Sequence, residues 1–272
     1  MRLCKEGELV LEPRQTVFDR QIEQLAKQLT AAHRPTFLTG AGISVPSHIP
    51  DMESAVNQFG LFSQTWLEDD PAAFYQRFHR EMLDPIHKYG PTKAHRIIAQ
   101  LEEQHLIDGI VTTNVDHLHQ LAGNHNVIEV WGSINVNFCL QCGRIFNLQA
   151  LHSDIPRCPV CHGLLSPEPA FRHLGGTLPP NLKQANAYVR QRLTDGAWRV
   201  PLNDQLADEL LSQSDLTIVT GSNGYYRHCS PQHVIEINPH ATWFTQFADF
   251  RISSTADAAF TALAIKLQLN LN

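Results

Sequence analysis

Four of the six cysteines fall into two C-x-x-C pairs, Cys139 with Cys142 and Cys158 with Cys161. Fifteen residues separate the pairs, and Cys4 and Cys229 stand alone. A C-x-x-C turn presents two thiolates on one side, and two such turns complete a tetrahedral zinc site at about 2.3 Å per bond. A disulfide or a redox dithiol would use the same residue type. Repetition of the motif argues against the dithiol, and a cytosolic chain argues against the disulfide. Four protein ligands leave no coordination position open, so a zinc ion here is structural.

Other places carry residues suited to chemistry. The run "TFLTGAGIS" (36–44) reads as a strand that opens into closely spaced small residues and then a helix. Small residues let a backbone approach a pyrophosphate, and a helix N-terminus offers free N–H groups. Alone the signal is weak, since many tight turns use such residues and the six-position dinucleotide fingerprint is not met. In "GIVTTNVDHLHQ" (109–120), Asn114 and Asp116 end a β-branched run. Two roles suit them: binding a polar group at a strand end, or capping the helix that starts near Leu118. Trp131 ends a second such run, "VIEVWG" (127–132), before a Gly-Ser turn.

The elements that must position these residues follow from periodicity. "QIEQLAKQL" puts Ile22, Leu25, Ala26 and Leu29 on one helical face. "DPAAFYQRFHREML" spaces Phe74, Phe78 and Met82 for a helix. "PTKAHRIIAQLEEQ" does the same with Ala94, Ile97, Ile98 and Leu101. After the cysteines come the strand-like runs "DLTIVTGSN", "HVIEINP" and "DFRISS", then the helix-like "ADAAFTALAIKLQL". Strands alternating with helices predict a doubly wound α/β sheet with the cysteine module inserted near its middle. Residues 181–203 fit neither pattern and read as a lid or a connecting insertion.

Composition narrows the function classes. A formal net charge of −6 argues against unspecific binding to nucleic acid or acidic membranes. No apolar run approaches the roughly 20 residues of a membrane span, and "MRLCKEGELVLEPRQ" lacks a signal-peptide core. The expectation is a cytoplasmic protein with no nucleic-acid and no membrane partner.

Four separated blocks together resemble the sirtuin (Sir2-like) family. "GAGISVPSHIPD" (40–51) is similar to G-A-G-x-S-x-x-S-G-I-P-D-F-R, and "TTNVDHLHQLAG" (112–123) to T-Q-N-I-D-x-L-H-x-x-A-G. "CLQC" with "CPVC" is similar to the family's structural zinc pairs. "TGSNG" and "EINP" stand where the family has G-T-S and an Asn at the adenosine part of NAD. The order holds over roughly residues 36 to 265. The resemblance implies a Rossmann-like NAD-binding domain (1–132 and 204–272) and a small zinc domain (133–180). NAD would then lie in the cleft, with a protein or small-molecule acceptor. Gly40, Ala41 and Gly42 would approach the pyrophosphate, with Ser44 nearby. Ile49, Pro50 and Asp51 would wall the nicotinamide end, and Thr113, Asn114 and Asp116 would line its pocket. Gly221, Ser222, Asn223 and Asn238 would hold the adenosine end. His119 follows the family's pattern as a structural residue, and His117 stands where Gly is usual; neither is read as catalytic.

The departures carry the functional expectation. Where the family keeps the His that serves as general base, this chain has Trp131. An indole N–H only donates a hydrogen bond, and loss of a positioned base costs about 10²–10⁴ in rate. The family's P-D-F-R becomes "PDME", placing Met52 and Glu53 in that loop. Its peptide-clamping F-G-E-S-L-P is similar to "LGGTLP" (174–179), with Leu174 and Gly176 substituted. With Asn114, Asp116 and Trp131 as the catalytic candidates, the reading is a transferase that cleaves the nicotinamide–ribose bond. Its first expected reaction is ADP-ribosyl transfer. Lysine deacylation with a substituted base and an NAD- or ADP-ribose-binding sensor without turnover are the alternatives.

Overall fold

The protein is described here by a computed structural model covering residues 16–51, 54–58, 60–171, 200–227 and 233–270. Helix α1 (Val17–Ala31) starts at a capping box, in which the Thr16 side chain accepts from the Asp19 N–H and the Asp19 carboxylate accepts from the Thr16 N–H. It buries Ile22, Leu25, Ala26 and Leu29, the face that the spacing predicts. Strand β1 (Pro35–Thr39) follows and is buried throughout.

Between β1 and the next strand lie α2 (Gln64–Asp69), α3 (Pro71–Phe78), α4 (Asp84–Tyr89) and α5 (Lys93–Glu103). Then come β2 (Gly109–Thr112), the short α6 (Leu118–Leu121) and β3 (Val127–Glu129). The cysteine module contributes β4 (Asn137–Cys139), β5 (Ile145–Phe146) and β6 (Leu165–Pro167). The chain closes with α7 (Val200–Ser212), β7 (Leu216–Thr220), β8 (Val234–Ile237), β9 (Phe250–Ile252) and α8 (Ala256–Leu267).

Six parallel strands pair in the order β3-β2-β1-β7-β8-β9. Alternate residues of each strand go to opposite faces, and both faces are buried, as parallel sheets require. Phe37, Ile110, Ile218 and Ile235 pack under α1, α5 and α8, where Phe260 meets Phe37 at 5.6 Å between ring centroids. Leu38, Val111 and Val219 pack against Ala207 and Leu211 of α7 and against Phe244. The chain runs outward from β1 in one direction and from β7 in the other. That reversal places a crevice at the carboxyl ends of the strands, around the point where the turns after β1 and β7 meet.

The module's sheet is antiparallel, in the order β5-β4-β6. It does not make a core alone. Phe138, Leu140, Leu151 and Leu164 share one apolar cluster with Phe74, Tyr75, Phe78, Met82 and Ile86, from the segment between β1 and β2. The Tyr75 hydroxyl donates to the Leu165 carbonyl at 2.8 Å, tying α3 to β6. Burial without a charged partner pushes that phenol well above its usual range, so it stays a donor.

Two expectations need correction or fall outside. The strand that opens at "GAGIS" is not followed by a long helix. Two three-residue 3₁₀ turns, Ala41–Ile43 and Val45–Ser47, stand there, with His48 in the left-handed region at φ 57°. Pro46, lacking an N–H, and that left-handed residue stop helix propagation. Residues 174–179, Met52, Glu53, Cys4 and Cys229 lie outside the described residues. So does 181–203, apart from the first turn of α7. Among the described residues no helix is long and apolar enough to cross a membrane.

Candidate active site

One cavity of about 980 Å³ opens in the crevice. The β1 loop brings Gly40, Ala41, Gly42, Ser44, Ile49, Pro50 and Asp51 to its wall. Thr113, Asn114 and Asp116 arrive from the end of β2, and Trp131 from the end of β3. Gly221, Ser222 and Asn223 follow β7, and Asn238 follows β8. All the residues that the sequence singled out for a cofactor thus line one space. Wall residues follow the ends of β3, β2, β1, β7 and β8. These five neighbouring strands span four spacings, about 19 Å at ~4.8 Å each, a length suited to a dinucleotide.

Further wall residues carried no signal of their own in the sequence. Tyr225, Pro239, His240 and Asp257 line the side nearer β8 and α8, while Phe62, Met82 and Val115 line the other. They come from several separate segments, so no local spacing marks them as a set. The motif "EINP" pointed to the neighbourhood of His240 without reaching it.

The glycines have a partner that the sequence did not reveal. A Cβ on Gly42 would lie 2.6 Å from the Gly221 Cα, and one on Gly40 would lie 2.8 Å from the Gly221 carbonyl oxygen. Gly221 has φ 62°, and its own Cβ would meet the Ile43 nitrogen at 2.5 Å. Gly42 donates its N–H to the Gly221 carbonyl at 2.9 Å, and Gly40 to that of Thr220 at 3.1 Å. The two turns interlock, so these residues are small first for each other. Gly42→Val should therefore lower thermal stability by roughly 1–3 kcal/mol through overpacking as well as deform the cavity. A calorimetric melt that left stability unchanged would contradict the interlock. The N–H groups of Ala41, Ser222 and Asn223 donate to nothing among the described residues. They remain available to an anionic ligand.

At the β2 end a buried network fixes two side chains. Asn114 donates through Nδ2 to the Gly40 carbonyl at 3.2 Å and to Ser44 Oγ at 3.1 Å. Ser44 Oγ in turn donates to Asp116 Oδ2 at 2.6 Å, and the Leu118 N–H donates to Asp116 Oδ1 at 3.0 Å. Asp116 thus accepts from the first N–H of α6, whose N-cap is His117, and at the same time lines the cavity. Burial raises the Asp116 carboxyl above the usual range, against the opposing effect of its two hydrogen bonds. With its amide protons committed, Asn114 keeps its Oδ1 as a free acceptor among the described residues.

The two histidines nearby do other work. His117 sits at φ 61°, the left-handed conformation that explains why glycine suits this position. His119 Nε2 meets Thr39 Oγ1 at 2.9 Å, its ring edge packs on His95 at 4.6 Å, and burial pushes it down to about 4. Neither lines the cavity. Among the described wall residues the one imidazole is His240, on the β8 side, away from Trp131. Trp131 itself bridges the apolar clusters on both sides of it.

The cysteines form a separate centre. Cys139 and Cys161 have their sulfurs 3.4 Å apart, Cys142 and Cys158 3.7 Å, and all four lie within 4.8 Å. No disulfide joins them. Tetrahedral bonds of 2.3 Å imply sulfurs about 3.8 Å apart, so the set fits zinc.

The profile of the Sir2 family matches residues 40–194. A Clostridium acetobutylicum protein named NAD-dependent protein deacetylase is 30% identical over 249 residues, 86% of this chain and 94% of that protein. A Thermotoga maritima protein of the same name is 37% identical over 152 residues, 52% of this chain and 61% of that one. A structure described as Sir2 with p53 peptide and NAD⁺ superposes with a TM-score of 0.70 at 26% identity, covering 91% of this chain and 98% of that chain. Another, Sir2 with an inhibitor, 2′-O-acetyl-ADP-ribose and deacetylated p53 peptide, gives a TM-score of 0.69 at 25% identity, over 91% of this chain and 100% of that chain.

Proposed function

Because the chain belongs to the Sir2 family, we propose that it binds NAD in the cavity and acts as an NAD-dependent protein lysine deacylase. The observation that carries this is the cavity that gathers Gly40, Gly42, Asn114, Asp116, Gly221 and Asn238 at one edge of the sheet, in a chain whose relatives are named deacetylases. NAD supplies the ADP-ribosyl group and nicotinamide as its leaving group. Acyl-lysine, NAD and water would give lysine, nicotinamide and O-acyl-ADP-ribose.

The protein's own groups divide that work. The N–H groups of Ala41, Ser222 and Asn223 would receive a diphosphate, with Asn238 towards the adenosine end. Asn114 Oδ1 would accept from a carboxamide N–H. Asp116, held by Ser44 and Leu118, provides a second fixed acceptor at that end and keeps water from replacing it. Apolar Phe62, Met82 and Val115 exclude solvent beside it.

Trp131 favours a second reading, ADP-ribosyl transfer to another nucleophile. The step that needs a base comes after nicotinamide has left, and the indole cannot accept a proton. The names of the relatives put deacylation ahead of the transfer that the sequence put first. Incubation with adenylate-labelled NAD, an acetylated peptide and, separately, cell extract separates the two. Labelled O-acyl-ADP-ribose supports deacylation, and label fixed on protein supports transfer. Binding without nicotinamide release would overturn both and leave a sensor.

A further inference from the structure

We propose that Glu168 is a positioning residue that sets where Trp131 stands in the cavity wall. The turn carrying Trp131 is anchored on its strand side by the six-stranded sheet, through Val130 N–H to the Thr112 carbonyl at 3.0 Å and Gly132 N–H to the Glu129 carbonyl at 3.2 Å. On its other side the Ser133 N–H donates to Glu168 Oε2 at 3.0 Å. Both residues are buried, at 3% and 2% exposure, so water cannot replace either partner. The carboxylate also presses on the turn itself. A Cβ at Gly132, which has φ 82°, would lie 3.1 Å from Glu168 Cγ and 3.2 Å from Oε2.

Glu168 is fixed from the opposite unit. It directly follows β6, whose Pro167 pairs with Asn137, and its own N–H donates to the Val136 carbonyl at 2.8 Å. One side chain thus joins the cysteine module's sheet to the turn that holds Trp131. Without the acceptor, the Ser133 N–H would be buried unpaired, and the turn must shift to satisfy it. This rests on the reading that Trp131 stands beside the reacting ribose, and the test separates the two statements.

The four tryptophans can be replaced biosynthetically by 5-fluorotryptophan, with the Trp131 ¹⁹F line assigned through Trp131→Phe. Glu168→Ala should move the Trp131 line while Trp243, on the loop before β9, keeps its own. Glu168→Asp, which keeps the charge but shortens the reach, should move it part of the way. Glu168→Gln, whose amide oxygen can still accept, should leave it near native. Nicotinamide release should fall about tenfold in kcat for Glu168→Ala, with KM for NAD changed less than threefold. An unmoved Trp131 line in Glu168→Ala or Glu168→Asp overturns the proposal, as does a shift of Trp243 to the same extent. The line is read without NAD. A moved line with unchanged nicotinamide release therefore upholds the positioning role and overturns the part assigned to Trp131 in the reaction.

Discussion

Trp131→His is expected to raise formation of O-acyl-ADP-ribose from an acetylated peptide by about 10²-fold, within the range that a positioned base contributes. Nicotinamide release should change far less, because bond cleavage precedes the step that needs the base and, unlike in Glu168→Ala, the turn stays anchored and keeps an aromatic ring in the wall. The turn can receive the smaller ring: Gly132 and the Glu168 contact fix the backbone independently of the side chain at 131. Following nicotinamide and O-acyl-ADP-ribose in parallel checks the result. If the native chain already forms O-acyl-ADP-ribose as fast as the variant, the base is dispensable here and the case for ADP-ribosyl transfer falls with it.

The largest loss of stability is expected from the metal centre. Cys158→Ser removes a fully buried ligand, and structural zinc contributes on the order of 10 kcal/mol to the folding of its module. Zinc content should drop from one ion per chain to nearly none. Amide hydrogen exchange over 137–167 should become fast. The damage should spread to α3, because Phe74 and Phe78 share their cluster with Phe138 and Leu164. Well under one zinc in the native protein, with all four thiols free, would defeat this account of the four sulfurs.

Much of the frame was legible because its signals are local. The α1 face declares itself in Ile22, Leu25, Ala26 and Leu29. The runs around Ile110, Ile218 and Ile235 are apolar on both faces, as a covered parallel sheet demands. The cysteine spacing announced a centre whose sulfurs do converge. What escaped depends on long-range placement. Gly42 looked like a phosphate contact, and its nearest constraint is Gly221, far along the chain. Tyr225, His240 and Asp257 meet at the cavity only because separate strands end at one edge of the sheet. Glu168 lies outside every motif, and its part follows only once β6 is seen beside the turn of Trp131. The helix expected over 70–83 is interrupted by a wider π turn at His79–Leu83, which periodicity of apolar residues does not register.

The strand order also governs how the chain is made. His33 and Arg34, at the entrance to β1, donate their N–H groups to the Asp215 carboxylate at the entrance to β7, and His33 is 182 residues from Asp215. At roughly 5–20 residues per second on the ribosome, β1 waits on the order of 10–40 seconds with one apolar edge uncovered. During that wait β1, β2 and β3 make half a sheet whose open side is the future centre. Such an edge is a template for wrong pairing, so a nascent chain stalled before Leu216 should aggregate or be held by a chaperone. Release of Leu216–Thr220 closes the centre of the sheet and the floor of the cavity in the same event.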